Sequence, residues 1–142
     1  MRQRVRRRGG ESGGYAQEVL SKMVAPYNIK ALPGVAHHVM GMMARTSPEG
    51  AAAALRGRAE RPDYVEMLAR IAVSTLVVVG ADDEFTPVSD ARVISDGIPD
   101  AELEVIQGAA HMPNLERAAE FDVALQRFLD SLPAEADKRE ER

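Results

Sequence analysis

Asp83 and His111 are the residues best placed to do acid–base chemistry. Asp83 lies three positions past Gly80, which closes the apolar run Leu76-Val77-Val78-Val79, and His111 lies three positions past Gly108. A carboxylate that accepts a hydrogen bond from one imidazole nitrogen fixes the ring's tautomer. It also stabilises the imidazolium that forms when the other nitrogen takes a proton. In open α/β sheets, reactive groups collect just beyond the carboxyl ends of strands. The matched spacing places both residues there, leaving neighbouring strands at the same end. Taken without the histidine loop, Asp82-Asp83-Glu84 reads equally well as a polar turn before a helix.

Hydrolytic chemistry with this pair needs a nucleophile. Gly10-Glu11-Ser12-Gly13-Gly14 matches the pattern G-x-S-x-G, which makes Ser12 the candidate. A nucleophile elbow, however, sits on a sharp turn that leaves a buried strand. The residues before Ser12 are Arg4-Val5-Arg6-Arg7-Arg8, which no central strand tolerates. A flexible Gly-rich linker is the reading that this context favours.

Around these loops the hydrophobic period changes once. Residues 1–14 are basic and Gly-rich, without helical or strand period, and read as a flexible arm in preference to a contact for nucleic acid or an anionic surface. Residues 15–70 read as helical. Tyr15, Val19, Leu20, Met23 and Val24 share helical spacing, and Pro26 is expected to end that helix. A second helix is expected over 35–45. Ser47-Pro48 has the cap-plus-proline signature of a third, and Asp63 stands where it would cap a short fourth.

Residues 71–132 switch to a strand–helix–strand–helix order. Residues 76–79 suit a strand covered on both faces. Thr86-Pro87 is expected to start a helix with Ala91, Ile94 and Ile98 on one side. Residues 101–106 alternate Leu103 and Val105 with Glu102 and Glu104, as a strand with one polar face does. Residues 120–132 are amphipathic, with Phe121, Leu125, Phe128 and Leu129 aligned. Residues 133–142 form a polar tail. A strand–helix–strand unit of this length predicts a right-handed crossover between parallel strands. Two strands make a poor sheet alone. The free edge of the apolar strand is therefore expected to take a second copy of the chain or a complementing polypeptide.

The totals narrow the class. The chain has 142 residues, 45% of them hydrophobic, enough for one ordinary domain with a real core. A net charge of −4 argues against a dedicated nucleic-acid binder. The absence of cysteine removes disulfides and thiolate metal sites, and fits the cytoplasm. No apolar run approaches the roughly 20 residues that span a membrane. The five arginines of residues 1–8 are not followed by an apolar stretch, so they do not read as a secretory signal.

Resemblance adds detail. Val79-Gly80-Ala81-Asp82-Asp83-Glu84-Phe85-Thr86-Pro87 resembles the acid loop of the epoxide-hydrolase/enol-lactonase-like branch of the α/β-hydrolase superfamily. Gly108-Ala109-Ala110-His111-Met112-Pro113-Asn114-Leu115-Glu116 resembles the histidine loop of the same branch. The final amphipathic segment is similar to its closing helix, and the helical first half to its cap over the active site. The resemblance is strongest over residues 71–129. Ser74 stands where proline commonly precedes the strand, and Ala118 where proline commonly follows Glu116-Arg117. The resemblance implies the C-terminal portion of an α/β-hydrolase fold, with the parallel sheet incomplete. It implies Asp83 as triad acid, His111 as general base, a small acyl substrate such as an ester or lactone, and no metal or organic cofactor. The branch's earlier strands, oxyanion loop and nucleophile elbow have no counterpart here. The chain is therefore expected to be inactive alone, or else to be a non-catalytic interaction module that pairs through its strand edge and helical face.

Other candidates divide between chemistry and packing. His37 and His38 are adjacent on a helix and point about 100° apart, so they do not form a ligand pair. Met23, Met40, Met42 and Met43 suit core packing better than a substrate pocket. Glu116 either supports the histidine loop through a hydrogen bond or is a solvated carboxylate at a helix start.

Overall fold

The computed structural model describes residues 9–133, with side chains described from Ala16 onward. Residues 1–8 of the expected arm and 134–142 of the expected tail lie outside the described residues. Four helices come first: α1 (Gly9–Met23), α2 (Pro26–Ala31), α3 (Pro33–Arg45) and α4 (Pro48–Ala59). A 3₁₀ turn, Val65–Arg70, leads to β1 (Thr75–Gly80), α5 (Val88–Gly97), β2 (Ala101–Ile106), the short α6 (Pro113–Glu116) and α7 (Ala118–Ser131).

The helical half is held by an apolar cluster. Leu20 and Val24 of the first helical segment meet Ala36 and Val39 of α3. Met23, Met40, Met42 and Met43 pack around them as core side chains. Met112 and Leu115 of the histidine loop join the same cluster. Val24 and Val39 are fully buried, which removes most of their apolar surface from water.

Two sequence expectations are corrected here. Pro26 does stop α1, but it also opens α2 from the first helical position, where its missing N–H costs nothing. Helix α1 also reaches back to Gly9, through residues expected to be part of a flexible arm. Ser47 behaves as expected: its Oγ accepts the Gly50 amide at 3.0 Å and caps α4. Asp63 likewise accepts the Val65 amide at 2.9 Å at the start of the 3₁₀ turn.

In the second half, β1 and β2 pair in parallel, from Thr75 against Ala101 to Gly80 against Ile106. Helix α5 crosses between them, and its Ala91 and the following Ile98 are buried. Among the described residues β1 has no partner on its other side. Val77 and Val78, expected to be covered on both faces, are accordingly only half-buried.

Candidate active site

The two loops leave the carboxyl ends of β1 and β2 and stay joined by backbone bonds. The Ala81 amide donates to the Ile106 carbonyl, and the Asp82 amide to the Ala109 carbonyl, each at 2.9 Å. Gly80 makes this approach possible. A Cβ there would overlap the carbonyl oxygens of Ala109 and Ala110. Gly108 turns the histidine loop at φ +70, a left-handed conformation that glycine adopts at little cost.

This seam brings Asp83 and His111 together. His111 Nδ1 lies 2.8 Å from Asp83 Oδ2. An ionised carboxylate has no proton to give, so Nδ1–H donates and Nε2 is left free for proton exchange. The other carboxylate oxygen, Oδ1, accepts the amides of Phe85 at 2.8 Å and Thr86 at 3.0 Å. Both oxygens are thus occupied on a residue that is 8% exposed. The Asp83 carboxylate, not the Thr86 side chain, closes the turn before α5, whose N-cap is Pro87. Phe85 braces the imidazole edge-on, with ring centroids 5.2 Å apart at 70°. The His111 side chain remains 35% exposed. It borders an open groove of about 370 Å³ shared with Val78, Gly80, Asp83, Ile94 and Phe121.

Glu116 is a buried acceptor, not a solvated carboxylate; it is 3% exposed. Its Oε1 accepts the Ala110 amide at 2.8 Å. Its Oε2 accepts the Ala25 amide at 2.9 Å and Asn28 Nδ2 at 2.8 Å. Asn28 Nδ2 also donates to the Gly108 carbonyl at 2.9 Å. Tyr27 donates its hydroxyl to Asp82. That bond, then burial, then the negative charges of Asp82 and Glu116 push the Tyr27 phenol up to about 12. Asn28 and Tyr27 were not singled out by the sequence, because their partners lie 88 and 55 residues away. The best sequence signal was Pro26 read as a helix start, which would have carried Tyr27 and Asn28 into a short helix.

Ser12, the sequence's nucleophile candidate, falls within helix α1 and not on a strand-to-helix turn; among the described residues no strand precedes it. His37 and His38 lie on α3. Among the described residues no three His, Cys, Asp or Glu side chains cluster as a metal site would require. No described helix is long and apolar enough to cross a membrane.

No protein-family profile matches the chain. Curated relatives do. The 3-oxoadipate enol-lactonase 2 of Acinetobacter baylyi is 31% identical over 111 residues, 78% of this chain and 41% of the relative. The pimeloyl-[acyl-carrier protein] methyl ester esterase of Xanthomonas campestris is 34% identical over 88 residues, 60% of this chain and 35% of the relative. Among solved structures, a thermophilic esterase from Thermogutta terrifontis superposes with a TM-score of 0.78 at 30% identity, over 84% of this chain and 44% of its own. The enol-lactonase of Burkholderia xenovorans shares the fold at a TM-score of 0.79 and 23% identity, over 87% of this chain and 47% of its own. The chain spans less than half the length of each of these proteins.

Proposed function

Because this chain has the α/β-hydrolase fold, matching the C-terminal portion of the epoxide-hydrolase/enol-lactonase-like branch, we propose that Asp83 and His111 are the acid and base of a serine-type triad. The triad hydrolyses an ester, lactone or similar acyl bond. The observation that carries this reading is the 2.8 Å contact between His111 Nδ1 and an Asp83 carboxylate held by two further N–H donors. In the reaction, Nε2 takes the proton of a serine hydroxyl as its oxygen attacks the acyl carbon. The imidazolium then protonates the leaving oxygen, and water, deprotonated by the same nitrogen, releases the acid and restores the serine. The helical half acts as the cap over this site. The chemistry calls for neither metal nor organic cofactor, and the cysteine-free sequence supports a cytoplasmic setting.

The nucleophile and the oxyanion donors come from a segment seated in the groove beside β1. Without them acyl transfer loses its largest contributions, so the chain alone has little or no activity. Support for this comes from the unpaired β1 edge and from the position of Ser12 inside a helix. The test is fluorophosphonate labelling followed by intact-mass and peptide analysis. It is run on the chain alone, and on the chain mixed with the N-terminal half of an enol-lactonase. We expect no adduct on the chain alone. In the mixture we expect an adduct on the added half, with p-nitrophenyl ester turnover that His111→Ala abolishes. An adduct on Ser12 of the lone chain would overturn the assignment and make this a complete small hydrolase.

A second reading has its own support. Val73 and Val123 are 67% exposed and Leu129 is 49% exposed. With the β1 edge, these surfaces suit a non-catalytic module that pairs with another copy or a complementing polypeptide. Association without any turnover in the mixture would favour it.

A further inference from the structure

We infer that Glu116 and Asn28 are positioning residues for His111, and that they make the seating of the helical half a condition for the Asp83–His111 hydrogen bond. The inference rests on the proposed role of His111 as the base.

A buried carboxylate is costly unless its oxygens are occupied. Glu116 meets that requirement with donors from two separate parts of the chain. Ala110, immediately before His111, supplies one amide to Oε1. Ala25 and Asn28, at the start of α2, supply an amide and a side-chain N–H to Oε2. Asn28 then spans the gap by donating also to the carbonyl of Gly108, where the histidine loop makes its left-handed turn. After His111, Met112 and Leu115 pack on the apolar cluster of α1 and α3. The histidine loop is therefore gripped by the helical half on both sides of His111, by the Asn28 bond to Gly108 before it and by the Glu116 bonds and the Met112 and Leu115 packing after it. None of these contacts touches the imidazole or Asp83.

Lifting the helical half would take both protein donors from Glu116 Oε2, open that oxygen to water, and free the Gly108 carbonyl. The loop then has reason to shift, and a hydrogen bond as directional as Nδ1–H to Oδ2 weakens steeply when its donor moves. Cap position and base alignment become one equilibrium, not two independent ones. Chemistry would then be switched on only when the helical half is seated.

The test reads the imidazole directly, in the isotope-labelled chain without substrate. The hydrogen-bonded Nδ1–H of His111 is followed by NMR as a downfield proton, and its exchange with water is measured under folding conditions. Asn28→Ala removes the hydrogen bond to the Glu116 carboxylate and the one to the Gly108 carbonyl, so that proton should exchange roughly 10-fold faster or more. Glu116→Gln is nearly isosteric but carries only one acceptor atom, so it leaves either Ala110 or the Ala25–Asn28 pair facing an NH₂ donor. It should speed exchange by a similar factor, and it serves as the readout should Asn28→Ala fail to fold. Ile98→Ala, a buried substitution on α5's side of the sheet, lowers stability without touching the network and should leave the resonance unchanged. Wild-type exchange in a folded Asn28→Ala or Glu116→Gln, or equal acceleration in Ile98→Ala, overturns the inference. The readout needs no turnover, so a failed complementation assay leaves it standing, and its own failure leaves the triad proposal intact.

Discussion

Asp83 and His111 stand at the ends of two short motifs, and that locality is why the sequence revealed them. Each needs only a strand, a glycine and a three-residue reach to arrive at the shared end of the sheet. Gly80 was legible as the end of a strand, but not as a steric requirement, because the atoms that demand it belong to Ala109 and Ala110. Gly80→Ala should therefore cost roughly 2 kcal/mol or more, since overpacking against backbone has no flexible side chain to yield. Urea unfolding monitored by circular dichroism measures it. Tyr27 and Asn28 were invisible for the opposite reason: nothing near them in the chain hints at an acidic partner across the fold. The Tyr27–Asp82 bond makes its own prediction. Its phenol is raised from 10.0 to about 12 in the folded state, so the stability it contributes is complete below pH 10 and is lost as pH rises toward 12. Phenolate absorbance of the wild type minus that of Tyr27→Phe should give a titration midpoint near 12. Tyr27 is 48% exposed, so solvent screening keeps the energetic effect small.

At the scale of the element, the parallel strand pair, α5 and α7 followed from periodicity and turn residues. Helices α2 and α6 did not. Both are short, and both begin with a proline that reads as easily as a stop as a start. The Gly-rich beginning of α1 defied propensity altogether, since glycine disfavours a helix interior by about 1 kcal/mol relative to alanine. Helix α4 is different again. Its cap was plain in the sequence, yet none of its residues is buried. Its stability must then come from its own turns and from the Ser47 cap. Ser47→Ala should lower protection of the α4 amides by about 1 kcal/mol while leaving those of β1 and β2 unchanged. Hydrogen exchange resolved by residue separates the two outcomes. Uniform loss across the protein would mean that α4 is coupled to the core after all.

At the scale of the whole molecule, the apolar character of β1 led us to expect a second neighbour for it. Its composition suits a central strand, yet among the described residues it pairs on one side only. The parallel strand pair was readable from the crossover, and the hydrolase fold from the resemblance of the two loops. What covers the open side was not readable, since a strand's sequence shows that it wants a partner without describing one. We expect concentration-dependent association of the chain at micromolar levels by sedimentation velocity, suppressed when a complementing hydrolase half is added. A strict monomer in which every β1 amide is protected from exchange would count against an open edge.

The seam between the two loops has a consequence for sequence drift. The bonds from Ala81 to Ile106 and from Asp82 to Ala109 use main-chain atoms alone. Almost any residue at positions 81 and 82 can supply the same amide, and only proline lacks it. Heritable variation can therefore run through positions 81 and 82 without separating Asp83 from His111. A saturation library there should tolerate broad substitution at 81 and 82, sparing neither proline at those positions nor any change at Gly80.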